Sequence, residues 1–186
     1  SWNAKRELDT ILSPKDSIKY YKSFLRSGLL SIEPQTGQIK AWVGGINHKY
    51  FKYDHVEQGK RQVGSTFNQL GLSPCEKFPN TPYTIPKGRF GIPEAWTPRN
   101  SGDKYGGEIT LKDALAKSVN VISARLIDMV TPSNVTRLAK SSGIESRIPN
   151  APSIALGSVE LSLMEMTGAY ATFANKGLRV APNLLM

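Results

Sequence analysis

The stretch Leu29-Leu30-Ser31-Ile32-Glu33-Pro34-Gln35-Thr36-Gly37-Gln38-Ile39-Lys40-Ala41-Trp42-Val43 decides the fold. Residues 29–33 are strand-like. Pro34-Gln35-Thr36-Gly37 has turn chemistry. Residues 38–43 then alternate polar and apolar, the period of a strand with one covered face. Two such runs around such a turn predict a β-hairpin, and Gly44-Gly45 ends its second strand.

Outward from the hairpin the chain changes character on both sides. Residues 1–27 are polar and mixed. Residues 16–24 predict a short amphipathic helix, with Ser13-Pro14 as its start signal. The segment reads as a linker or the edge of a preceding module. Residues 46–64 are loop-like and carry Tyr50, Phe51 and Tyr53. The histidines, His48 and His55, lie in this loop, and neither has a metal-ligand spacing with another His, Cys or acid. Surface or packing roles suit them, and no metal or cofactor is expected.

Lys60-Arg61-Gln62-Val63-Gly64-Ser65-Thr66-Phe67 follows. Ser65 sits after a glycine, behind two cations, where polar loop gives way to apolar residues. A nucleophilic serine at a helix N-terminus has this look, because unpaired N–H groups there steady an oxyanion. A helix N-cap has the same look. Residues 71–109 are rich in Pro, Gly and Asn and predict a long irregular excursion, with one short strand near Tyr83-Thr84-Ile85. Loops of that length in a compact domain usually serve a site.

Order returns at Ile109. Thr110 with Asp113 resembles a capping box, and Leu111, Ala114 and Leu115 lie at helical spacing. This helix is predicted to end near Lys117-Ser118. A second helix follows on Val121, Ile122, Ala124, Leu126 and Ile127. Thr131-Pro132 starts a third, with Thr131 as cap, and Gly143 closes it. Residues 149–157 read as a loop. Ser162 with Glu165 is a capping box for a fourth helix that Gly177 ends, and Leu178-Arg179-Val180 begins another strand. Hairpin, helical block and return to strand give an α+β fold with helices grouped beside an antiparallel sheet.

Composition bounds the rest. At 186 residues the chain is one domain, or one domain with a short attached segment. Its 24 basic and 15 acidic residues give a net charge of +9, which suits an anionic partner. The cations are scattered, however, and no finger, helix-turn-helix or stacking motif points to nucleic acid. One cysteine, Cys75, excludes an internal disulfide and any multi-cysteine metal site. No apolar run reaches the ~18 residues of a membrane span, and no signal-peptide pattern is present.

Several stretches together resemble one family. Residues 31–45 resemble the first hairpin of penicillin-binding protein transpeptidase domains, and Arg61-Gln62-Val63-Gly64-Ser65-Thr66-Phe67 resembles their nucleophile loop. Trp96-Thr97-Pro98-Arg99-Asn100, Tyr105-Gly106-Gly107 and the run from Thr110 to Asn120 follow the same family. So do Ser153-Ile154-Ala155-Leu156-Gly157 and the run from Met166 to Asn175. The resemblance covers nearly all of residues 28–182 in order and is strongest to the bifunctional class A enzymes. It implies a β-lactamase/transpeptidase-like fold. It also implies a D,D-transpeptidase that cross-links peptidoglycan stem peptides through an acyl-serine and is acylated by β-lactams.

The family chemistry rests on S-x-x-K, S-x-N and K-T-G motifs. By resemblance Ser65 is the nucleophile. In Ser118-Val119-Asn120, Ser118 relays a proton and the Asn120 amide holds substrate and lysine. Without the resemblance, Ser118 and Asn120 between two helices read as capping residues. Two departures stand out. Asn68 occupies the place of the motif lysine after Phe67, and no Lys-Thr-Gly follows Asn120. A hydroxyl without a base is a poor nucleophile. The expectations are therefore these. Residues 28–186 are a partial transpeptidase domain lacking its C-terminal part. Phe67 and Asn68 are not covalent neighbours in the native protein. A membrane anchor and a glycosyltransferase domain lie outside this chain, at the outer face of the cytoplasmic membrane. The alternative is a non-catalytic structural module of the cell envelope. A serine β-lactamase fits less well, since its motifs would not bring the Trp42-Val43-Gly44-Gly45 hairpin in this form.

Overall fold

A computed structural model describes residues 10–49, 51–62 and 73–184. The first helix, α1, runs Pro14–Ser23: the Ser13 side chain accepts from the Asp16 N–H, and Pro14 sits where a missing N–H costs nothing. None of its residues is buried. It touches the rest of the chain through aromatic edges, Tyr21 meeting Phe51 with ring centroids 6.2 Å apart.

The hairpin forms as expected. Strand β1 (Leu29–Ile32) pairs antiparallel with β2 (Ile39–Val43), with Leu30 opposite Trp42 and one irregularity after Ser31. Gly37 closes the turn at φ +73°, and a Cβ there would lie 2.3 Å from the Ala181 carbonyl oxygen. Glycine thus serves both the positive φ and a close chain approach. That approach differs from the strand expected at Leu178-Arg179-Val180. In its place Asn183 makes a single bridge beside Gln38, with Asn183 N–H donating to Gly37 O at 2.8 Å and Ile39 N–H to Asn183 O at 2.9 Å. Pro182, next to it, has no N–H with which to extend a ladder.

Other strands lie where the sequence reads as loop. Strand β3 (Lys60–Gln62) falls within the 46–64 segment and pairs with β6 (Glu160–Ser162), Arg61 opposite Leu161. Strands β4 (Lys77–Pro79) and β5 (Glu108–Thr110) pair with Phe78 opposite Ile109, so they close the neck of the irregular excursion. Inside it, the strand expected near Tyr83-Thr84-Ile85 is a single bridge, Ile85 and Trp96 exchanging two main-chain bonds of 2.9 Å. Among the described residues the strands form three separate antiparallel pairs.

The helical block begins with α2 (Leu111–Ala116), capped by Thr110, and continues as α3 (Asn120–Val130) and α4 (Pro132–Ser141). Thr131 does not cap α4 through its side chain. It is wedged between the two helix ends at φ +71°, and its hydroxyl lies 3.1 Å from that of Ser133. The 149–157 loop contains a 3-10 turn, Pro152–Leu156, whose Ile154 and Ala155 are buried. Helix α5 (Leu163–Ala174) starts on the reciprocal Ser162–Glu165 box expected from the sequence. Gly177, at φ +88°, follows its end.

Helix α3 holds the molecule together. Its Val121, Ile122 and Leu126 join Phe78 and Ala114 in one core cluster, while Ile127 joins Ile85, Ile154 and Leu161 in another. Val121 and Ala124 are completely buried. A helix covered on two sides is a rigid platform, and the turn at its N-terminus inherits that rigidity.

Candidate active site

Ser118 and Asn120 are brought together on the turn between α2 and α3. The chain leaves α2 tightly: Ser118 N–H donates to Leu115 O at 3.1 Å and Val119 N–H to Ala114 O at 2.9 Å. Ser118 takes φ +51°, a left-handed conformation that a serine adopts at a cost. Its side chain is exposed and lines a pocket of about 450 Å³, which Asn80, Asn100, Lys104 and Lys117 also line. Asn120, half-buried, begins α3, and its side-chain amide donates to the Arg99 carbonyl at 2.7 Å.

The helix start itself poses a problem. Val119 stands at the N-cap, and its side chain has no acceptor for the free N–H groups of the first turn. The acceptor comes from the excursion. Asn100, 8 % exposed, receives the Val121 N–H on its Oδ1 at 3.1 Å. Its Nδ2 donates to Asn80 Oδ1 at 2.8 Å and to Lys104 O at 2.9 Å. This pattern fixes the amide orientation, because a flipped amide would put a donor against the Val121 N–H and an acceptor against a carbonyl. Arg99 and Asn100 thus hold Asn120 and Val121 side by side. In the sequence both residues are legible only within the Trp96–Asn100 resemblance, which assigns neither a role. The signal that could have found them is the valine at a cap position, which requires an acceptor from elsewhere.

A second arrangement holds the strand that leads towards Ser65. The Glu165 carboxylate accepts from Ser162 N–H at 2.9 Å, from Ser146 N–H at 2.7 Å and from both serine hydroxyls. Lys60 Nζ on β3 donates to Ser146 Oγ at 2.8 Å. Burial pushes the Glu165 carboxyl up, but the Ser162 and Ser146 backbone N–H groups and hydroxyls outweigh it and leave it below the usual range. Ser65 itself, with Phe67 and Asn68, lies outside the described residues. His55 packs against the Tyr53 ring. Among the described residues no group of His, Cys, Asp and Glu is placed to hold a metal.

Comparisons with known proteins agree on one family. The family model described as penicillin binding protein transpeptidase domain matches residues 30–186. Penicillin-binding protein 1A of Rickettsia felis is 36% identical over 169 residues, covering 87% of this chain and 21% of the relative. That of Neisseria gonorrhoeae is 32% identical over 171 residues with the same coverage. The chain therefore spans about a fifth of the length of the curated relatives it matches. Among solved structures, penicillin-binding protein 1A from Haemophilus influenzae superposes with a TM-score of 0.75 at 28% identity, over 85% of this chain and 25% of that one. The PonA1 protein from Mycobacterium tuberculosis, solved with penicillin V, shares the fold with a TM-score of 0.68 at 24% identity, over 90% of this chain and 49% of that one. The α+β architecture and the matched sequence lead to one conclusion: this chain belongs to the penicillin-binding protein transpeptidase family.

Proposed function

We propose that the parent protein is a serine D,D-transpeptidase that cross-links peptidoglycan stem peptides, and that residues 28–186 are a partial transpeptidase domain behind residues 1–27, a linker or the edge of a preceding module. Ser65 Oγ gives its proton to the motif base and attacks the penultimate D-Ala carbonyl carbon, the C–N bond to the terminal D-Ala breaks, and that proton passes through Ser118 to the leaving amine. An acceptor amine then attacks the acyl-serine ester, the acyl C–O bond breaks, and the proton the amine loses returns to Ser65 Oγ. A β-lactam acylates the same oxygen through its ring amide. The observation that carries the reading is the Ser118–Asn120 turn. It presents an exposed hydroxyl and an anchored amide two positions apart, at the start of a buried helix.

The lysine that should activate Ser65 is absent after Phe67. We take the native protein to carry a stretch beginning with that lysine between Phe67 and Asn68. Peptide sequencing of the protein purified from its own source tests this. A native Phe67–Asn68 bond would favour the second reading, a non-catalytic envelope module. No helix among the described residues is long and apolar enough to cross a membrane. The reading puts the anchor and a glycosyltransferase domain elsewhere in the protein, with this domain at the outer face of the cytoplasmic membrane.

The test of the function is covalent labelling of the native full-length protein with a fluorescent penicillin. Wild type should be labelled stoichiometrically and Ser65→Ala should not. Labelling that persists in Ser65→Ala rules out the assignment.

A further inference from the structure

We propose that Asn100 is the positioning residue of the Ser118–Asn120 turn: it caps α3 from outside the helix and so sets where the two motif side chains point. The inference rests on the transpeptidase reading for its readout, and on geometry for its content.

The turn cannot hold itself. Val119 is the N-cap of α3 and contributes no side-chain hydrogen bond. Ser118, just before it, sits at φ +51°. A left-handed serine followed by an uncapped first turn would fray towards ordinary conformations. Asn100 prevents this from a distance of 21 residues, its Oδ1 receiving the Val121 N–H. The Asn100 side chain is itself fully engaged: both Nδ2 protons are spent, on Asn80 Oδ1 and on the Lys104 carbonyl. Asn80 is in turn tied to the neck of the excursion, its N–H donating to Gly107 O at 3.0 Å and its carbonyl accepting from Gly106 N–H at 2.8 Å. Arg99, one residue before Asn100, gives its carbonyl to the Asn120 amide at 2.7 Å. One short segment therefore grips two consecutive residues of α3, and both grips depend on Asn100 being buried where it is. The function of the irregular excursion, on this account, is to fix the catalytic turn.

A purely structural asparagine would lower stability and leave the acylation of folded protein alone. A positioning residue lowers the rate of acylation itself, and lowers it less once Ser118, one of the two side chains it positions, is gone. The experiment is a double-mutant cycle on the native full-length protein, read as the acylation rate constant with a fluorescent penicillin at saturating ligand, well below the melting temperature. Asn100→Ala is expected to slow acylation by about 10- to 100-fold, Ser118→Ala by more, and the double variant by less than the product of the two losses. Asn100→Asp keeps an acceptor for the Val121 N–H but sets its second oxygen against Asn80 Oδ1 and the Lys104 carbonyl, so it should recover only part of the rate lost in Asn100→Ala. If Ser118→Ala slows acylation but Asn100→Ala and Asn100→Asp both react at the wild-type rate, the positioning role is wrong and the site reading stands. Losses that multiply in the double variant also overturn it. If Ser118→Ala has no effect, the site reading fails and takes this inference with it.

Discussion

The indole N–H of Trp42 donates to Asp54 Oδ2 at 2.8 Å, pinning the loop after the hairpin onto its second strand. The other carboxylate oxygen is also held, accepting from Val56 N–H at 2.7 Å and Glu57 N–H at 3.3 Å. Asp54 lies directly over Gly44, whose missing Cβ would be 2.6 Å from the Asp54 Cγ.

Gly44→Ala should therefore be destabilising, because the carboxylate that must move is fixed by its three partners. Losing part of that network is expected to cost about 2–3 kcal/mol. Gly45→Ala is the internal control: its Cβ would approach the Tyr53 carbonyl oxygen only to 3.6 Å, an ordinary contact. It should change stability by less than about 1 kcal/mol. Urea denaturation of the two variants reads the difference, and equal losses would refute the crowding argument.

Glu165 gives a pH prediction. Its carboxyl is held below the usual range in the folded protein by the Ser162 and Ser146 donors, despite the opposing effect of burial. For a carboxylate with a depressed folded value, the stabilisation is present above the unfolded pKa, roughly 4.3 for a glutamate. It is lost as pH falls through the folded value. Glu165→Gln removes the ionised acceptor and is expected to lower stability at pH 7 by about 1–2 kcal/mol. It should also flatten the decline of melting temperature between pH 6 and pH 3. An acid dependence as steep as that of wild type would show that other carboxylates carry it.

What was legible in the sequence was what is decided locally. The Ser162–Glu165 box and the Thr110 cap each need three residues of context, and the hairpin needs one turn and two short alternations. Strands β3 and β6 were illegible for a physical reason. Each is three residues long, too short for a period, and Arg61 finds Leu161 only through the packing between them. Thr131 misled because Thr-Pro is a good helix start in isolation. Here it also ends α3, and the left-handed φ that joins the two helices turns its hydroxyl away from the cap. The candidate site divides the same way. Ser118 and Asn120 were legible as a motif by resemblance. Asn100, which receives the first-turn N–H of the same helix, was not, because that bond crosses the excursion.

Ser118 allows stability and chemistry to be separated at a single position. Its φ of +51° is left-handed, where a Cβ is crowded by its own backbone and glycine is not. Ser118→Ala and Ser118→Gly both delete the hydroxyl, together with whatever that oxygen contributes to the fold. The two variants then differ only in the methyl group and in backbone freedom. In a helix or strand glycine would be the less stable of the pair, by roughly 0.5–1 kcal/mol. On this turn the order should invert: Ser118→Gly is expected to be more stable than Ser118→Ala by about 1 kcal/mol. Acylation should not follow stability. Both variants lack the proton relay, so both should be slowed by roughly 10²–10⁴ relative to wild type. Thermal denaturation and penicillin labelling of the same three preparations are sufficient to check this. If the glycine variant is the less stable of the two, the turn is not left-handed in solution. If both variants acylate at the wild-type rate, Ser118 serves only to end α2, and the proton must reach the leaving group by another route.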